Sequence, residues 1–130
     1  MLADADEFVR LRNSTDPGEY HRAAHDEASI DTWLEVISQH PDTRFSVAQN
    51  KTVPMEILAR LARDDDSRVR SMVAMKRKLA AEILEILADD PSDAVRMSVA
   101  CHRNTPRPVL ESLSLHDPCP KVRRVAGDRL

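Results

Sequence analysis

Arginine recurs at one position of this sequence, and aspartate recurs with it. The arginines are Arg44, Arg70, Arg96 and Arg123, and Asp64, Asp90 and Asp117 each stand six residues before the last three. Guanidinium and carboxylate groups form strong two-point hydrogen bonds. The recurring pairs favour a structural role, in which carboxylates of the same and adjacent loops hold each arginine. A row of cations facing a ligand is the alternative, and Arg44, with Ser38 at the matching position, is best placed for it.

Histidine and cysteine occur in two arrangements that could contact a metal. His21 and His25 are four residues apart on a predicted helix, but no third ligand column follows. The second arrangement combines two cysteines with two histidines, in Cys101-His102 and His116-x-x-Cys119. Adjacent residues of a helix point in different directions, which spoils tetrahedral closure. We therefore expect neither a metal nor any other cofactor.

Recognisable catalytic motifs do not occur in the chain. It contains two glycines, and it has no glycine-rich nucleotide loop, no P-loop and no Gly-x-Ser-x-Gly turn. The acidic run Asp64-Asp65-Asp66 belongs to a recurring loop, where carboxylates cap the helix that follows. We therefore expect a protein that is not an enzyme and has no catalytic residues.

A repeat of about 26 residues positions all of these groups. Two leucine columns recur at intervals of 26, namely Leu58, Leu84, Leu110 and Leu61, Leu87, Leu113. A Val-Arg signature interleaves with them and places alanine at residues 24, 48, 74, 100 and 126. The pattern predicts about five repeats of 24–26 residues. Residues 1–30 form a degraded N-terminal capping repeat, residues 31–126 form regular repeats, and the last repeat is truncated.

Each repeat is predicted to fold as two short helices. Leucines at i and i+3 form the apolar stripe of the first helix. Valine and alanine are the buried residues of the second, and the loops between carry helix breakers and caps. One helix pair cannot bury its apolar face alone, so successive pairs must stack. The sequence thus predicts an all-α fold, a solenoid of short helix pairs in a single domain over residues 1–130.

The succession of Leu-Ala, Asp, Val-Arg-x-x-Val-Ala and then Pro before the next leucine pair resembles the leucine-rich repeat variant. That family is an all-helical, short relative of HEAT repeats, and the resemblance covers residues 31–126 well and 1–30 weakly. It implies a right-handed superhelix whose second helices line the inner surface. It also implies a ladder of Asp–Arg hydrogen bonds between successive units, which the six-residue spacing assigns as Asp64–Arg70, Asp90–Arg96 and Asp117–Arg123.

Residues beside the arginine column and one helical turn further on are predicted to face that inner, concave surface. Phe45, Met75 and Met97 would form an apolar strip that adapts to varied partners. The candidate partner-binding residues are Phe45, Gln49, Met75, Met97, Arg103 and Arg124. We therefore expect a non-enzymatic scaffold that binds a protein or peptide, with a preference for acidic segments. The alternative is that the apolar side chains only fill gaps between units.

Nucleic-acid binding is the second functional hypothesis, as a HEAT-like binding module or a DNA-glycosylase-like enzyme. Residues 51–130 hold fifteen Arg and Lys against twelve Asp and Glu, including the run Lys76-Arg77-Lys78. The whole chain, however, carries a net charge of −3, and residues 46–130 contain no Phe, Tyr or Trp for base stacking. The composition therefore disfavours a nucleic-acid partner.

Hydrophobic residues make up 42% of the chain and charged residues 32%, enough to bury a core and remain soluble. The longest apolar run is four residues, Met72–Met75, far below the roughly 20 of a membrane-spanning helix. The acidic N-terminus lacks the apolar core of a signal peptide, so we expect a cytoplasmic protein. Val122, Val125 and Leu130 share one face near the C-terminus, which predicts a monomer or a weak homodimer.

Overall fold

The computed structural model describes residues 1–130 and confirms an all-α fold, with ten α-helices and no strand. The helices are α1 (Ala5–Arg12), α2 (Pro17–His25), α3 (Ile30–Gln39), α4 (Arg44–Gln49), α5 (Met55–Leu61), α6 (Ser67–Ala74), α7 (Ala81–Ala88), α8 (Asp93–Cys101), α9 (Arg107–His116) and α10 (Pro120–Asp128). A 3-10 turn, Pro41–Thr43, directly precedes α4. None of these helices combines the length and the apolar character that crossing a membrane requires.

Side-chain caps and prolines explain where several helices begin. Asp4, Asp16 and Ser29 each accept a hydrogen bond from a backbone N–H in the first turn of the following helix. Asp66 caps α6 in the same way, as predicted for its acidic loop, because its carboxylate accepts from the Arg68 N–H at 2.9 Å. Hydrogen bonds from the side chain and backbone of Arg68 also lower the pKa of Asp66.

The helices cluster into two compact units, residues 1–61 (unit 1) and residues 62–130 (unit 2). In unit 1, α1 packs against α2 and α3, and α4 contacts α2, α3 and α5. The core of unit 1 is built around Phe8 and Trp33, both fully buried. Their ring centroids lie 5.2 Å apart at an interplanar angle of 77°, the edge-to-face geometry that aromatic rings prefer.

Unit 2 is made of two layers of helices. In one layer α7 contacts α9, and in the other α8 contacts both α6 and α10, while α7 and α9 also pack on α8 and α10 across the layers. Ala74, Ala100 and Ala126 of the alanine column are all buried, and they lie on α6, α8 and α10, which contact one another in turn. A methyl side chain at this point lets two helix backbones approach closely, as the repeat predicts.

The layered order of unit 2 separates its loops by charge. The leucine-rich first helices of unit 2 and the region before it are α5, α7 and α9. Loops that lead from them into α6, α8 and α10 carry aspartates at residues 64–66, 89–90 and 117. Loops that leave α6 and α8 carry basic residues at 76–78 and 103. Acidic residues of the first two loops of the first kind line one groove, and basic residues of the second kind line another. We call the region of the acidic loops the acidic edge of unit 2 and the region of the basic loops its basic edge.

The apolar face predicted near the C-terminus is only partly covered. Val122 is fully buried, Val125 is half-buried, and the side chain of Leu130 lies beyond the end of α10 and is exposed.

Candidate functional site

The arginine column of unit 2 forms hydrogen bonds from one helix pair to the next. Arg70 Nε donates to Asp90 Oδ2 at 2.7 Å, and Arg96 Nε donates to Asp117 Oδ2 at 2.8 Å. Arg96, Asp90 and Asp117 are all buried. Hydrogen bonding to Asp117 raises the pKa of Arg96, so this buried guanidinium stays a cation.

An aspartate and the arginine six residues after it do bond to each other, but through the aspartate backbone rather than through its carboxylate. Arg70, Arg96 and Arg123 each donate through Nη1 to the backbone carbonyl of the aspartate six residues earlier, at 2.8, 2.8 and 2.6 Å. That aspartate directs its carboxylate elsewhere, as Asp90 does to Arg70. The expected ladder of Asp64–Arg70, Asp90–Arg96 and Asp117–Arg123 is therefore corrected, because these pairs bond through the aspartate backbone. The carboxylates of Asp90 and Asp117 accept instead from the arginine of the preceding helix pair.

Arg44, the arginine expected to be available for a ligand, is engaged in unit 1. Its Nε donates to the carbonyl of Ile37 at 2.9 Å. Arg44 thus bonds a backbone carbonyl one residue before the matching position Ser38, much as the other arginines of the column bond the carbonyl six residues earlier. This contact gives Arg44 a structural role rather than the expected ligand-facing one.

The corrected pairing defines a stability test on Asp90. We expect Asp90→Ala to lower the free energy of unfolding by about 1–3 kcal/mol, because Arg70 loses a carboxylate and the Ser92 N–H loses its acceptor. Urea denaturation followed by circular dichroism measures the loss. Asp89→Ala, an exposed neighbour in the same loop, is the matched control and should change stability little. Equal losses from the two variants would contradict a structural role for the Asp90 carboxylate.

A second set of contacts, not predicted from the sequence, joins the ends of the valine–alanine helices α2, α4, α6, α8 and α10. In unit 1, Asn50 Nδ2 donates to the carbonyl of Ala23 at 2.9 Å. In unit 2, His102 Nε2 donates to the carbonyl of Lys76 at 2.7 Å, and Arg129 Nη1 donates to the carbonyl of Ala100 at 2.8 Å. The signal was present in the sequence, because Asn50 and His102 are two repeat lengths apart. Polar side chains of one pair thus satisfy the last carbonyls of the preceding pair.

His102 is a structural histidine rather than a metal ligand. Its Nδ1 accepts a hydrogen bond from the Asn104 N–H at 3.0 Å, so the proton of the neutral ring lies on Nε2, which faces the Lys76 carbonyl. Both ring nitrogens are occupied, and no group of three or more His, Cys, Asp or Glu side chains is arranged to hold a metal ion. His21 and His25 stack their rings at 3.9 Å on the exposed face of α2.

Loss of the His102 side chain is expected to destabilise the protein. His102→Ala leaves the Lys76 carbonyl and the Asn104 N–H without partners, and we expect a loss of about 1–3 kcal/mol in the free energy of unfolding. His116→Ala, an exposed histidine of the same unit, is the control. A His102→Ala variant as stable as His116→Ala in urea would show that these two hydrogen bonds contribute nothing.

The six candidate partner-binding residues are distributed over both units. In unit 1, Phe45 is 39% exposed and Gln49 is exposed. In unit 2, Met97 is half-buried on α8 and Arg124 is exposed on α10.

Met75 and Arg103 lie together in unit 2. Both line an open groove of about 370 Å³ at the C-terminal ends of α6 and α8, which we call the α6/α8 groove. Cys101 and Arg77 also line it. Cys101 stands 26 residues after Met75, at the same position of the repeat, so the sequence already placed it beside the expected concave surface. Arg77 belongs to the basic run Lys76-Arg77-Lys78, which gave no sign of a place in this groove.

The acidic edge of unit 2 holds a larger and more polar groove of about 780 Å³. Its acidic lining residues are Asp64, Asp65, Glu82, Glu85, Asp89 and Asp90. Arg63 and Arg70 also contribute to it, and the Arg70 side chain is already bonded to Asp90. The two grooves of unit 2 thus differ in charge as well as in position.

No protein-family model matches this sequence, and neither a curated protein nor a solved structure shows significant similarity to it.

Proposed function

We propose that the chain is a HEAT-like, right-handed α-solenoid that acts as a non-enzymatic scaffold. It binds a protein or peptide along the surface of its valine–alanine helices, as a monomer or weak homodimer in the cytoplasm. The repeat period supports the solenoid, since it continues through the sequence of both units. Stacking of helix pairs within each unit supports it as well.

The observation that carries the binding function is the exposed apolar surface of Met75 beside unpaired arginines. Met75 is 68% exposed on the C-terminal end of α6, and Arg103 lines the same groove. The arginines of the repeat column have another role, because Arg70 and Arg96 form ion pairs that join successive helix pairs. The arginines that stabilise the fold, Arg70 and Arg96, are therefore different residues from those that could contact a bound protein, such as Arg103.

A pull-down from native lysate at two salt concentrations, with and without nuclease, tests the scaffold. We expect a protein partner whose recovery does not depend on nucleic acid. Recovery of nucleic acid that disappears after nuclease treatment would replace the scaffold by the second candidate function, a nucleic-acid-binding module. The specific observation that favours this candidate is the basic edge formed by residues 76–78 and 103.

Two alanine variants separate these functions on the ligand that the pull-down recovers. For a protein ligand, we expect Met75→Ala to cost about 2 kcal/mol of binding free energy, since the ligand would bury this side chain and the variant loses that contact. Arg124→Ala should mainly slow association and reduce its salt sensitivity. For nucleic acid the order reverses, and each lost phosphate contact flattens the salt slope by about one unit. Titrations of both variants at several salt concentrations measure this difference.

A further inference from the structure

The α6/α8 groove combines an apolar floor with a cationic rim. Ala74, Met75 and Cys101 supply the floor, and the side chains of Met75 and Cys101 are exposed. Arg77 and Arg103 supply the rim, and both are exposed. A ligand in this groove would therefore meet an apolar surface together with two positive charges.

The two rim arginines have no carboxylate partner, unlike four other arginines of unit 2. Arg68, Arg70, Arg96 and Arg107 each form an ion pair with an aspartate or glutamate. Arg77 and Arg103 form none, and their guanidinium groups remain in solvent. Two unpaired cations beside one apolar floor favour a ligand that brings its own carboxylates.

The backbone beneath the rim is fixed by side-chain hydrogen bonds. His102 Nε2 donates to the Lys76 carbonyl at 2.7 Å, and Asn104 Nδ2 donates to the Arg77 carbonyl at 3.3 Å. Arg129 Nη1 donates to the His102 carbonyl at 2.7 Å. These donors occupy backbone carbonyls that would otherwise repel an anion, and they hold the groove in place before a ligand arrives.

We infer that the α6/α8 groove binds an acidic peptide segment. An apolar side chain of the segment contacts Met75 and Cys101, and flanking carboxylates pair with Arg77 and Arg103. The acidic edge of the same unit repels such a segment, so charge directs it to this groove. The inference rests on the proposed scaffold function and narrows it to one site and one class of partner.

Selection of short random peptides displayed on phage against the full chain tests the inference. We expect the recovered peptides to place Asp or Glu beside one large apolar residue. A fluorescein-labelled copy of the most enriched peptide then serves as the probe. The double variant Arg77→Glu/Arg103→Glu should weaken binding of the probe about tenfold or more. Met75→Ala should weaken it about thirtyfold, since the apolar anchor loses its contact.

A matched control changes the same net charge elsewhere in unit 2. Arg63→Glu/Lys121→Glu alters two exposed residues that do not line the groove, and it should bind the probe within about twofold of the unaltered chain. Circular dichroism of each variant confirms that it is folded. Enrichment of basic or neutral peptides, or equal weakening by the two double variants, would overturn the inference.

The two cysteines provide a second readout within the unaltered chain. Cys101 lines the groove, whereas Cys119 follows Asp117 at the acidic edge. The bound probe should slow alkylation of Cys101 by iodoacetamide and leave Cys119 unaffected, as mass spectrometry of the modified chain would show. Loss of protection in Arg77→Glu/Arg103→Glu should accompany the loss of binding.

The outcomes also distinguish this inference from the proposed function. A peptide or protein that binds without protecting Cys101 overturns the groove as the site and leaves the scaffold function in place. Failure to recover either a peptide or a protein partner counts against both.

Discussion

Replacing Asp117 with alanine is expected to lower the free energy of unfolding by about 3 kcal/mol. Asp117 accepts two hydrogen bonds from Arg96, from Nε at 2.8 Å and from Nη2 at 3.4 Å, and a third from the Cys119 N–H at 2.8 Å. Without this carboxylate, Arg96 keeps a buried charge whose remaining ion pair is with Asp93. The Asp93 side chain is 70% exposed, so it compensates only weakly. Urea denaturation at neutral pH measures the loss.

Three comparison variants show whether the cost comes from the unpaired charge. Asp93→Ala removes the exposed partner of Arg96 and should cost less than about 1 kcal/mol. Asp117→Asn retains an acceptor oxygen and should fall between Asp93→Ala and Asp117→Ala. Arg96→Met/Asp117→Leu removes both charges and should recover much of the stability lost in Asp117→Ala. If the double variant is less stable than Asp117→Ala, the unpaired charge is not the cause.

Truncation of Trp33 is expected to have the other large effect, a loss of about 3–5 kcal/mol for Trp33→Ala. Trp33 is fully buried in unit 1, and the variant leaves a cavity beside Phe8. Helices α1 and α3, which carry these two rings, then lose the edge-to-face contact between them. Because Trp33 is the only tryptophan, circular dichroism rather than fluorescence follows unfolding of the variant.

The indole N–H of Trp33 makes a finer comparison available. Its Nε1 is buried and has no hydrogen-bond partner. Trp33→Phe keeps an aromatic ring against Phe8 and removes that unsatisfied donor, so we expect it to retain much more stability than Trp33→Ala. Tyr20→Ala, which truncates an aromatic ring that is 51% exposed, should cost little. A Trp33→Ala variant as stable as Tyr20→Ala would contradict the description of this core.

The helices of residues 55–128 could be predicted because their signals are local. Leucines at i and i+3, alanine at a constant interval and aspartates before the valine helices all act within one or two turns of chain. The structure places helices at α5 to α10 accordingly and buries Ala74, Ala100 and Ala126. Residues 1–50 match the repeat less well, but α1 to α4 still follow as short helices with acidic or hydroxyl caps at three of their starts.

The sequence by itself determined that arginine and aspartate form recurring columns, that the fold is helical, and which faces of the helices are apolar. Only the tertiary structure decided that the Asp90 carboxylate accepts from Arg70 and that His102 donates to the Lys76 carbonyl. It also decided that Met75 and Arg103 line one groove with Cys101 and Arg77. The physical reason is that a repeat period fixes which residues are equivalent but not which neighbouring pair each one reaches. That choice depends on the offset between packed helices, which the apolar surfaces of both helices set together.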